Sequence, residues 1–140
     1  GDDATARARV SGLRAALGNA YWFDVEAQFQ LAGHLTGAGP GFVFRFIEAL
    51  AEAARELGLP AEQAERLAVK MVEGAGALAA ASDENPAALA RRVASPGGTT
   101  EAGLKVLDAE ARLLRLIRDT LAASRDRGLE MAASARGGAD

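Results

Sequence analysis

Apolar positions along this chain recur at spacings of three and four far more often than at two, and that periodicity predicts helices. Residues 4–17 place Val10, Leu13 and Leu17 on one side, with Arg7, Arg9 and Arg14 elsewhere; Gly18-Asn19 ends the run. Ala20-Tyr21-Trp22-Phe23 is the one segment that reads as a strand, and a lone strand needs a partner for its backbone groups. Residues 24–35 read as a helix capped by Asp24. Four glycines and Pro40 between Gly33 and Gly41 then predict a kink or loop. Residues 42–57 carry the broadest stripe: Phe42, Val43, Phe46, Ile47, Leu50, Ala51, Ala54 and Leu57 oppose Arg45, Glu48, Glu52, Arg55 and Glu56. Gly58 closes that helix and Pro60 opens another over 60–81, where Gly74 and Gly76 suit a close helix crossing or are simply tolerated.

The second half is more broken. Ser82 to Pro86 reads as a turn, Pro86–Arg92 as a short helix and Ser95–Thr100 as a tight loop. Residues 101–108 form a short helix, capped by Thr99 or Thr100. Residues 110–131 form a last long one with Leu113, Leu114, Ile117 and Leu121 on one face, and a flexible tail follows over 132–140.

Composition narrows the chemistry. Of 140 residues 49% are hydrophobic but only 5% aromatic, and the apolar content is chiefly Ala, Leu and Val, which supports an all-α domain. A net charge of −3 leaves no cation excess for nucleic acid, so no nucleic-acid partner is expected. Zero cysteines exclude disulfides and thiolate metal sites, and the single histidine, His34, makes a His-ligated metal or a Ser-His-Asp triad a poor expectation. No metal is expected. No apolar run is long enough for a membrane helix, and the polar start shows no signal peptide, so the expected compartment is the cytoplasm, with no membrane partner.

Two glycine-rich segments could carry function. Thr36-Gly37-Ala38-Gly39-Pro40-Gly41 departs from a dinucleotide fingerprint: its third glycine is displaced, Pro40 intrudes and a helix precedes it. Ser95-Pro96-Gly97-Gly98-Thr99-Thr100 allows close backbone approach and leads into a helix, whose unpaired N–H groups suit a carboxylate or phosphate. An ordinary turn with a threonine cap fits the same residues.

The stretch Val93-Ala94-Ser95-Pro96-Gly97-Gly98-Thr99-Thr100-Glu101-Ala102-Gly103-Leu104-Lys105-Val106-Leu107-Asp108 resembles the signature of pyrroline-5-carboxylate reductases. Leu35-Thr36-Gly37-Ala38-Gly39-Pro40-Gly41-Phe42-Val43 is similar to that family's L-S-G-S-G-P-A-[FY]-V segment, and 46–51 and 57–60 fit its helices. The resemblance implies an all-α dimerisation domain like the C-terminal domain of 6-phosphogluconate dehydrogenase at residues 24–131. Residues 1–23 would be the last helix and strand of a Rossmann domain whose remainder is missing. It further implies reduction of 1-pyrroline-5-carboxylate to L-proline with NADPH or NADH, the last step of proline biosynthesis. No cofactor-binding residue lies within this chain, and the chain alone would be inactive. Substrate binding falls to Ser95, Gly97, Gly98, Thr99, Thr100 and Thr36, with the Thr100 hydroxyl near the ring nitrogen as the catalytic group. The partner implied is a second copy, or more, joined through the helical domain. The competing reading is a helical homodimerisation module that keeps the fold without the reaction. The chain departs from the family pattern at Thr36 and Ala38, which stand for two serines, at His34, and at Glu110-Ala111-Arg112, which replace Gly-Gly-Phe.

Overall fold

The computed structural model describes residues 21–137. The helix expected over 4–17 lies outside the described residues. Six α-helices follow one another among those described: α1 (Glu26–Gly37), α2 (Gly39–Glu56), α3 (Ala61–Ala81), α4 (Pro86–Val93), α5 (Thr99–Asp108) and α6 (Arg112–Gly137). A single 3-10 turn, Ala109–Ala111, joins α5 to α6. The all-α expectation therefore holds for the described residues. The strand expected at 20–23 is not formed over 21–23: no strand occurs among the described residues, and a lone strand is not stable by itself.

Contacts divide the chain into two units, Gly1–Gly33 and His34–Asp140. In the described part of the first, Phe23 and Phe29 meet edge to face with ring centroids 6.4 Å apart, while Tyr21 stays exposed. The second unit carries the remaining helices.

The glycine-rich stretch after Gly33 is not the loop its composition suggests. Helix α1 runs to Gly37, Ala38 alone breaks the path, and Gly39 starts α2. Pro40 falls in the first turn of α2, where an N–H would find no intrahelical acceptor, so the ring costs the helix nothing there.

Helix α2 ends in a Schellman turn: Gly58 N–H donates to Arg55 O at 3.0 Å and Leu59 N–H to Ala54 O at 3.0 Å, with Gly58 at φ +109°. That turn folds α3 back onto α2, the most extensive helix pairing of the molecule. Ala64 and Ala68, one helical turn apart, are buried, their small side chains letting the two helices approach. Helix α4 has a side-chain cap, Ala88 N–H donating to Asn85 Oδ1 at 2.9 Å, and buries Leu89.

Among the described residues only Ala64, Ala68 and Leu89 form a buried apolar core. The apolar stripes predicted from periodicity are present but largely uncovered: Val43, Phe46 and Leu57 of the 42–57 stripe and Leu114 and Ile117 of the last helix are exposed. Gly74 and Gly76 likewise face open space, with no helix of the described chain crossing them. The last helix is longer than its periodicity indicated, continuing past Met131 to Gly137. No described helix is long and apolar enough to cross a membrane.

Candidate functional site

The turn before α5 is built from its own sequence. Gly98 N–H donates to Ser95 O at 2.9 Å, closing a four-residue turn with Pro96 second and Gly97 third. Proline presets the second position, and the third needs positive φ; Gly97 has φ +70°, the geometry of a type II turn. A β-carbon added to Gly98 would lie 3.0 Å from the Ser95 carbonyl oxygen, so a side chain there would make the turn yield by a few tenths of an ångström.

Neither threonine caps α5. Gly98, in extended conformation, is the N-cap, and Thr99 and Thr100 are the first two helical residues. The end is closed instead by Glu101, whose Oε2 accepts the Gly97 N–H at 2.6 Å. Its Oε1 lies 3.0 Å from Lys105 Nζ, one turn further on. The Lys105 ammonium, and after it the Gly97 N–H, hold the Glu101 carboxyl below the usual glutamate range. The signal for this arrangement is in the sequence, an acidic residue three positions into a helix, beside two threonines that are good caps by type.

Two of the four loop amides are thus engaged within the chain, those of Gly97 and Gly98. The first backbone bond of the helix runs from Ala102 N–H to Gly98 O, which leaves the amides of Thr99, Thr100 and Glu101 without an intrahelical acceptor at the positive end of the dipole. Ser95, Thr99 and Thr100 are exposed and Gly98 is half-buried. Thr36 belongs to another element: it lies near the end of α1, whereas the main neighbours of α5 are the 3-10 turn and α6. No group of three or more potential metal ligands occurs among the described residues.

The comparisons bear on this loop directly. A family model described as "Pyrroline-5-carboxylate reductase dimerisation" matches residues 26–131. The chain belongs to that family. The dimerisation region so matched includes all of the Ser95–Thr100 turn. A pyrroline-5-carboxylate reductase of Pseudomonas aeruginosa is 39% identical over 120 residues, covering 86% of this chain and 44% of the relative. One from Treponema pallidum is 41% identical over 101 residues, covering 70% of this chain and 38% of the relative. The solved pyrroline-5-carboxylate reductase of Coxiella burnetii superposes with a TM-score of 0.79 at 36% identity, over 91% of this chain and 47% of its own. That of Plasmodium falciparum, solved with NADP bound, gives 0.70 at 25% identity, over 89% and 47%. The chain thus spans less than half the length of each of these relatives.

The family pattern also explains the other end of α5. Glu110 and Ala111, which stand where the family motif has two glycines, have φ of 53° and 54°. The backbone keeps the left-handed path that glycine adopts freely, at a cost of about 1 kcal/mol or more per residue. His34, the other departure, is half-buried against Gly128 of α6, where a β-carbon would fall 2.6 Å from its Nε2. It is a packing residue at the edge of the fold.

Proposed function

We propose that this chain is the substrate-binding and dimer-forming part of a pyrroline-5-carboxylate reductase of the cytoplasm, which reduces 1-pyrroline-5-carboxylate to L-proline. The observation that carries the reading is the start of α5, where the Thr99 and Thr100 amides stand open beyond the Ser95–Gly98 turn. A small carboxylate accepts from two adjacent amides at a helix start, and the dipole favours its charge. Gly97 and Gly98 shape the turn and let the ligand ring approach, while the Ser95 hydroxyl is a further polar contact. In the reduction the ring carbon of the C=N bond gains a hydride and the ring nitrogen a proton, giving the secondary amine. With the carboxylate on the amides, the Thr100 hydroxyl is the group placed to hydrogen-bond the ring nitrogen.

NADPH or NADH supplies the hydride in the longer enzyme. The described residues do not fit it: Gly37 to Gly41 lie at the junction of two helices, not in a strand-to-helix loop, and no step by this chain's residues runs through the cofactor.

The uncovered stripes on α2 and α6 support a homodimer or larger homo-oligomer. A groove of about 570 Å³ between α2 and α3 adds Phe44, Ile47, Ala51 and Val69, set among Glu48, Glu52, Arg55 and Glu65. Sedimentation of the purified 140 residues should give at least twice the chain mass, and a monomer at micromolar concentration would remove the dimer from the proposal. The same sample, given 1-pyrroline-5-carboxylate and NADPH, should show no turnover. Proline should perturb the Thr99 and Thr100 amide resonances; shifts confined to other helices would favour the module without the reaction.

A further inference from the structure

The threonines and glycines of the loop account for its shape and its open amides, but not for a carboxylate in the first turn of a helix proposed to receive another carboxylate. Glu101 would compete with an incoming anion for the same donors and repel it. Two observed contacts resolve the conflict. Its Oε2 is already bonded to Gly97 N–H at 2.6 Å, on the turn side, and its Oε1 is paired with Lys105 at 3.0 Å, on the helix side. The charge is thereby met at both oxygens, and neither reaches forward to Thr99 or Thr100.

We infer that Glu101 is a positioning residue, a strap whose bond to the Gly97 amide holds the left-handed turn so that the Thr99 and Thr100 amides remain open to a small carboxylate. The ligand part of this inference rests on the function proposed above; the strap itself rests on the two observed contacts of Glu101. Gly97 has the widest backbone freedom of any residue type and sits two residues before the helix. A single bond from the helix to its amide converts that freedom into one conformation, so the ligand does not have to order the turn when it binds. Lys105 aims the carboxylate and offsets its charge, which leaves the helix start electrically available to a second anion.

The test uses the 140-residue chain, its Glu101→Ala and its Glu101→Gln variants, observed by NMR. Glutamine keeps a carbonyl oxygen that can accept from Gly97 and so is the conservative rescue. Glu101 is half-buried, with 36% of its side chain exposed, so Glu101→Ala, which loses the bond that closes the helix start, should melt somewhat below the parent, and Glu101→Gln near it. Without ligand, hydrogen exchange at the Gly97 amide should accelerate in Glu101→Ala and stay near the parent rate in Glu101→Gln. With proline as the probe, Glu101→Ala should bind about fivefold more weakly, the worth of one ordinary hydrogen bond, and Glu101→Gln within about twofold of the parent. An unchanged Gly97 exchange rate in Glu101→Ala, equal proline affinity in all three proteins, or equal loss in both variants overturns the inference. If Gly97 exchange responds as expected but the parent chain does not bind proline, the carboxylate reading fails while the strap stands.

Discussion

The two ends of α5 are turns of similar tightness made in opposite ways. At its start, the position needing a left-handed backbone is a glycine, Gly97, and a second glycine, Gly98, stands where a β-carbon would press on the Ser95 carbonyl. At its end, two consecutive residues occupy the left-handed region without glycine: Glu110 and Ala111, the first joined to Arg115 by an ion pair at 3.5 Å. The start is free of steric strain and is tied down by a charged strap; the end carries strain and is held by the packing of α5 and α6 around it. An exposed ion pair is worth little, so Arg115 does not offset that strain by itself. The difference teaches that at the end the chain follows its path against local preference, with no buried side chain of α5 or of the turn beside it. At the start, local chemistry and path agree, as expected where a loop must hold one shape without support from a core.

Breaking the start should have the largest effect. Gly97→Val puts a β-branched side chain at φ +70° and should cost about 2 kcal/mol or more, read as a lower urea midpoint, with loss of proline binding. Retention of both would mean that the turn is not left-handed in solution. Relaxing the end should have a smaller, opposite effect. Glu110→Gly and Ala111→Gly should each stabilise by about 1 kcal/mol, because glycine adopts the same φ without steric penalty, and neither should alter proline affinity. Destabilisation by both would show that the junction follows another path. The smallest effect concerns protonation of the strap. Since its contacts lower the Glu101 pKa, the Gly97 bond is complete above the ordinary glutamate range and is lost as pH falls through the lowered value. The Gly97 amide shift should move through that acidic window with little change elsewhere; a midpoint at or above the ordinary glutamate value would sink the assignment.

Much of this was legible in the residues. The helix expected over 86–92, the turn at 57–60 and the glycine turn at 95–98 are local features, each set by hydrogen bonds and dihedral preferences within a few residues; the Asn85 cap was not expected, only a turn there. The candidate site was legible as a loop and a helix start, but its cap was misassigned. Thr99 and Thr100 are good capping residues by type, yet the backbone places them inside the helix, and the reach of Glu101 back to Gly97 depends on a three-dimensional path. Of the kink or loop expected between Gly33 and Gly41, the structure has a junction of two helices. Counting glycines and a proline suggests a loop, whereas helix cost depends on position within the turn, and Pro40 fell where it is harmless. The segment 20–23 is hydrophobic and strand-like by composition, but pairing is a property of two segments, and no strand occurs among the described residues.

By itself the sequence determined which segments coil, where most of them stop, and that glycines would shape the turn before α5. Those outcomes depend on interactions between residues a few positions apart, whose geometry the covalent chain already constrains. Tertiary structure decided which stripes are covered and which stand open, that Glu110 and Ala111 accept an unfavourable path, and that His34 packs against Gly128. Each of those depends on distant segments arriving at one place, where the packing of many atoms outweighs the preference of any single residue.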